Sequence, residues 1–144
     1  MICTTLNKIR EHEPCANGWA KLLRHLGKTE ANDEPLALAT ILESNGLDDA
    51  LWALRTVPEH SATWRLLAVR YARRVQHLIT DPRSRAALDV AERHAKGEAT
   101  DEEFAAARAA AWAARDAAWA GAWAAERKWQ AAEFIRTVTE GMQK

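Results

Sequence analysis

The chain has 144 residues and a mass of 16.1 kDa, a length that suits one domain spanning 1–144. Its 20 basic and 20 acidic side chains cancel, which argues against a typical basic nucleic-acid binder. Hydrophobic residues at 48% are enough to build a core. No apolar run approaches bilayer length, no secretory leader is visible, and Cys3 and Cys15 alone cannot form a disulfide framework. A cytoplasmic helical domain with no membrane association is the expectation.

Pro and Gly are scarce and punctuate the chain. A short opening segment, Thr5 to Glu13, ends at Pro14, with Leu6 and Ile9 three apart. Trp19, Leu22, Leu23 and Leu26 predict a helix over 16–26, and Gly27 is its natural C-terminal stop. Residues 28–33 read as a polar loop. Asp33 can cap the next helix, with Pro35 in its first turn. That helix carries Leu38, Ile41 and Leu42 and stops at Asn45-Gly46. A shorter one runs from about Asp48 to Thr56, before Pro58. Ser61 can cap a long helix to about Ile79, with Trp64, Leu67, Ala68, Tyr71, Val75 and Leu78 on its apolar face. Asp81-Pro82 reads as an N-cap and a first helical position. The helix it opens places Ala87, Leu88, Ala91 and Ala95 on one side and ends near Gly97. Thr100 and Glu103 form a capping box. No stretch alternates with period two. The predicted fold is all-α, a compact helical bundle of about six or seven helices, most of them antiparallel neighbours because the loops are short.

The C-terminal segment, about 100–139, is dominated by alanine, the best helix former. Sixteen of the 29 positions from 104 to 132 are Ala. Unbroken from Asp101 to Thr139, it would be about 58 Å long at 1.5 Å per residue. A compact chain of this length has a radius of gyration of about 15 Å. The helix must therefore protrude, pair with a second copy or break, and Gly121 is the predicted break. Ala106, Ala107, Ala110, Ala113, Ala114, Ala117, Ala124 and Ala125 share one face. Phe104, Arg108, Trp112, Arg115, Trp119, Trp123 and Glu126 share the other. A Trp stripe at helical spacing is commonly core, with Arg stems covering its edge. The interleaved charges raise the alternative of a partner-binding or self-association surface, since Trp and Arg dominate interface hot spots and Arg stacks on Trp. On that second reading Arg108, Trp112, Arg115, Trp119 and Trp123 bind the partner.

Charge is segregated along the neutral chain. Residues 29–60 carry Arg55 against Glu30, Asp33, Glu34, Glu43, Asp48, Asp49 and Glu59. Residues 61–100 carry eight basic side chains and four acidic ones. The two segments can neutralise each other within the monomer or simply face solvent. Alternatively Glu43, Asp48, Asp49 and Glu59 steer a basic partner. Arg70, Arg73, Arg74 and His77 share a helix face that can meet phosphate, although four groups on a neutral chain are few for a nucleic-acid interface.

Catalytic chemistry is not visible. The five histidines stand in no HExxH or Cys/His ligand pattern. The spacing of Cys3, His12 and Cys15 fits no standard zinc site. Phosphate-binding and nucleophile-elbow motifs are missing. Asp48-Asp49 sits where carboxylates stabilise a helix N-terminus. Glu11-His12-Glu13 lies in a near-terminal segment, a poor place to preorganise an acid–base group. The expectation is a non-enzymatic protein without metal or cofactor.

Several runs carry a family resemblance. They are Ile41-Leu42-Glu43-Ser44-Asn45-Gly46-Leu47-Asp48-Asp49-Ala50-Leu51-Trp52, Arg70-Tyr71-Ala72-Arg73-Arg74-Val75, Asp81-Pro82-Arg83-Ser84-Arg85-Ala86-Ala87-Leu88, Ala91-Glu92-Arg93, Gly97-Glu98-Ala99-Thr100 and the Ala/Trp tract. Together they resemble small Ala-rich helical immunity proteins of bacteria and of phages and prophages. The resemblance spans roughly 36–132 and leaves 1–35 outside as an N-terminal extension. It implies an inhibitor that neutralises a protein partner, either a toxin or a host-defence complex, the latter in the manner of an anti-CRISPR protein. The alternative is a structural or assembly protein that forms a homodimer or larger homo-oligomer through the Ala/Trp helix.

Overall fold

The computed structural model describes residues 1–78, 81–113 and 123–141, without the side chains of 110–125. The protein is all-α: eight α-helices and one two-stranded bridge stand among the described residues. In chain order these are β1 (Cys3–Thr4), α1 (Leu6–Glu11), α2 (Ala16–Leu26), β2 (Leu36–Ala37), α3 (Leu38–Asn45), α4 (Leu47–Ala53), α5 (Ser61–Arg74), α6 (Pro82–Ala95), α7 (Asp101–Ala113) and α8 (Trp123–Glu140). Short 3-10 turns occupy Leu54–Thr56, Pro58–His60 and Gln76–Leu78. The chain forms two compact units, Met1–His60 with Trp129–Gln143, and Ser61–Lys128.

Local signals set many of the boundaries. Thr5 caps α1 by accepting from Lys8 N, and Gly27 closes α2 in the left-handed conformation. Asp81 caps α6 through Arg83 N, with Pro82 in the first helical turn. Thr100 Oγ1 accepts from Glu103 N at 3.1 Å, which is the Thr100 half of the capping box. Glu103 itself reaches Arg93 at 3.9 Å.

The expectation for Asp33 and Pro35 is corrected. Leu36 and Ala37 pair antiparallel with Thr4 and Cys3, which holds the chain extended past Pro35. Leu38 N then donates to Ile2 O at 3.2 Å. The helix starts at Leu38, and Ala37 at its N-cap makes no side-chain bond. A bridge of two residues is too short to show period-two alternation. Two further helices end earlier than their periodicity predicts. α4 tightens into a 3-10 turn after Ala53, where Thr56 Oγ1 donates back to Ala53 O at 2.7 Å. α5 stops at Arg74 rather than near Ile79.

The first unit has a continuous apolar core. Leu6, Ile9, Leu22, Leu38, Ile41, Ala50, Ala53 and Val57 are buried, and so are Phe134 and Val138 of α8. Buried polar groups there are paired: Thr4 Oγ1 and Thr56 Oγ1 lie 2.7 Å apart. Ile2 N donates to Val138 O at 2.7 Å, satisfying one of the carbonyls that a helix end leaves open. Thr4, Leu6, Ile9 and Leu22 thus bring the first 35 residues into this core.

In the second unit α6 packs on both α5 and α7. Leu67 is buried on the predicted face of α5 and Val75 just past its end, whereas Ala68 is exposed. Val69, on the other side of that helix, is also buried. It lines a cavity of about 180 Å³ with Leu88, Ala91 and Phe104, so α5 covers apolar surface on more than one side. Among the described residues no helix is long and apolar enough to cross a membrane.

Gly46 joins α3 to α4 and serves as C-cap of one and N-cap of the other. Its φ of 91° and ψ of 177° lie in a region open essentially only to glycine. Gly46→Ala is expected to destabilise the protein by about 1–3 kcal/mol, read as a lower midpoint in urea with unchanged slope.

Candidate functional site

A partly open pocket of about 100 Å³ lies within the first unit, among α1, α2, α3 and α4. Ile9, Leu22, Ile41 and Ala53 form its apolar base, and the rings of Trp19 and Trp52 stand at its walls. Helical spacing explains the set: Cys15, Gly18, Trp19 and Leu22 fall on one side of α2, and Asp49, Trp52 and Ala53 on one side of α4.

One polar pair interrupts these walls. Asn45, the last residue of α3, donates from Nδ2 to Gly18 O and to Asp49 Oδ2, both at 2.8 Å. Its Oδ1 accepts from Ser44 Oγ at 2.6 Å. Asn45 thereby ties α2, α3 and α4 together and holds the carboxylate of Asp49 against the first turn of α2. A Cβ at Gly18 would lie 2.8 Å from Asp49 Oδ2 and 3.1 Å from Cys15 Sγ, so any side chain there would displace the ends of these two side chains. Cys15 is the N-cap of α2, its sulfur accepting from Gly18 N at 3.3 Å.

The four predicted steering acids all belong to the first unit, in α3, α4 and the Pro58–His60 turn. Glu43, Asp48 and Glu59 are exposed and Asp49 is half-buried at the pocket. Asp48 and Asp49 occupy the first turn of α4, where a carboxylate also stabilises the helix dipole. Among the described residues Glu43, Asp49 and Glu59 have no cationic partner. The arrangement can bind a positively charged group at Asp49.

The predicted basic face lies in the second unit and is partly occupied by carboxylates. Arg73 pairs with Asp89 and with Glu92 of α6, each at 2.7 Å. Arg74 reaches Glu126 of α8 at 3.4 Å. Arg70 is half-buried, and His77 is exposed in the Gln76–Leu78 turn. The hydrogen bond from Arg73, followed by that from Lys96, holds the Glu92 carboxyl below its ordinary range. A second clasp joins α6 to α7: His94 Nε2 meets Asp101 Oδ1 at 2.6 Å, and the His94 ring stacks on Phe104 at 4.5 Å. The basic surplus of 61–100 is therefore spent largely on acids of its own unit.

Of the predicted Trp/Arg stripe, Arg108 is exposed in α7, with its guanidinium 5.6 Å from the centre of the Phe104 ring. Trp112 belongs to α7 and Trp123 opens α8, but their side chains lie outside the described residues. Arg115, Trp119 and the predicted break at Gly121 lie outside them too. Sequence reasoning missed the pocket itself. Trp19 reads as one more apolar position of α2, and nothing local connects it to Asn45, Asp49 or Trp52. The strongest available signal is Gly18 within an otherwise good helical run, since an interior glycine marks a close approach.

The chain matches no family model, no curated protein and no solved structure.

Because Glu92 is depressed in the folded state, its pairing stabilises the protein above the unfolded carboxylate range and is lost as pH falls through the lower folded value. Glu92→Gln is expected to cost about 0.5–1 kcal/mol at neutral pH, the scale of partly exposed pairs. The variant is also expected to lose part of the parent's acid destabilisation, read from thermal melts below about pH 4.3.

Proposed function

We propose that this protein is a non-enzymatic binding protein that neutralises a partner protein by covering one of its functional surfaces. The observation that carries the reading is an apolar pocket lined by Trp19 and Trp52 that also holds Asp49, a carboxylate with no cationic partner among the described residues. Deep apolar pockets and aromatic anchors are where interface energy concentrates. Acidic side chains accelerate encounter with a basic surface and disfavour an acidic one. Glu43, Asp48 and Glu59 steer, and Asp49 lies at the pocket. The partner is a basic protein, either a toxin or a component of a host-defence complex. The resemblance to immunity proteins of bacteria and phages supports the same class of action, including inhibition of host defence in the manner of an anti-CRISPR protein. Arg108 and the Trp112, Arg115, Trp119 and Trp123 stripe add a second contact surface, supported by residue type and spacing alone. Such a neutraliser acts in the cytoplasm of a bacterial host.

The reading is tested by capture on tagged protein from host lysate, with light scattering of the free chain. One basic protein retained at stoichiometric level, and lost at least tenfold with Glu43→Lys/Glu59→Lys at low salt, is the expected result. No retained protein together with a mass that is a multiple of 16.1 kDa would replace the reading with self-assembly through the Ala/Trp helix.

A further inference from the structure

We infer that the pocket between Trp19 and Trp52 receives a single lysine or arginine side chain of the partner protein, with its cationic head at Asp49. The inference rests on the binding role proposed above and specifies what enters the site. Size sets the first limit. At about 100 Å³ the space is smaller than the roughly 150 Å³ that accommodates benzene in an engineered core, and well below the roughly 300 Å³ at which pockets for drug-sized ligands begin. It holds one side chain and excludes a nucleotide or a flavin.

Chemistry sets the second limit. Asn45 is largely engaged: both Nδ2 protons are used on Gly18 O and Asp49 Oδ2, and Oδ1 accepts from Ser44, leaving it no free donor. It holds Asp49 in place and offers little to a ligand. Asp49 is different, since an ionised carboxylate accepts about four hydrogen bonds and Asn45 supplies the one seen among the described residues. A purely apolar occupant would cover this carboxylate without compensating it, which is costly. An anionic occupant would be repelled. An aliphatic stem ending in a cation meets both requirements, with its methylenes against Ile9, Leu22 and Ile41 and its charge at Asp49. The ring walls add attraction for a cation. Trp52 already shows that preference within the chain, with the Arg55 guanidinium 4.6 Å from its ring centre. The surrounding segment agrees in sign, because residues 29–60 hold seven acids against Arg55.

The test uses butylguanidinium, 1-butanol and butyrate as short alkyl probes that differ in charge. Their binding to the full chain is followed by the indole N–H NMR signals of Trp19 and Trp52, assigned with Trp19→Phe and Trp52→Phe. Saturable shifts of both signals by butylguanidinium in the millimolar range, with at least tenfold weaker effects from the other two, are expected. Asp49→Asn should weaken butylguanidinium at least tenfold while the thermal melt stays cooperative. Equal binding of 1-butanol to the parent chain overturns the inference without reference to any variant. Unchanged capture of the partner protein by Asp49→Asn also overturns it, and leaves the neutralising role standing. Probe binding as expected with no partner retained from lysate would overturn that role and leave the cation pocket.

Discussion

The first unit depends on closure of its core by the other end of the chain. Phe134, Thr137 and Val138 of α8 are fully buried in a unit otherwise built from residues 1–60. The amide of Ile2 caps the carbonyl of Val138, and the carbonyl of Ile2 receives the amide of Leu38. Residues 1–4 thus join the last turn of α8 to the first turn of α3. Thr4 and Thr56 complete the closure inside, where Thr56 Oγ1 donates to Ala53 O and lies 2.7 Å from Thr4 Oγ1, from which it can accept, so neither hydroxyl remains unpaired. Placement of α3 and α4 against α2, and hence the pocket, follows from this scaffold.

The two units handle charge differently. In the second, helices α5, α6, α7 and α8 exchange ion pairs through Arg73, Arg74, Arg93 and His94. Pairs of this kind are partly exposed, and each contributes modestly. Their main consequence is that several cations of residues 61–100 are already engaged. In the first unit Lys28 pairs with Glu34 and Arg136 with Glu133, while Glu43, Asp49 and Glu59 have no such partner among the described residues. A segregation visible along the chain becomes a difference between a unit whose cations are largely engaged and one in which Asp49, at the apolar pocket, has no cationic partner among the described residues.

That pocket is maintained by a close approach. The carboxylate of Asp49 takes the volume that any side chain at position 18 would need. Asn45 converts the approach into a hydrogen-bonded junction of three helices. The two tryptophans can then flank a space instead of filling it, because the backbones that carry them are fixed at the ends of α2 and α4 by this junction and by Gly46.

The sequence by itself determined the all-α class and most helix ends, including the caps at Thr5, Asp81 and Thr100 and the stop at Gly27. Those signals act between residues within one turn of each other, so they are legible without a fold. Tertiary structure alone decided that Leu36 and Ala37 stay extended, since their partners Thr4 and Cys3 are some thirty residues away. It likewise decided that Val69 is buried, that Arg73 is engaged by α6, and that Cys15, Gly18, Trp19, Asn45, Asp49 and Trp52 meet around one pocket. Helical periodicity assigns a residue to a face. Which face meets which neighbour, and which charge is left without a partner, depends on contacts between segments far apart in the chain.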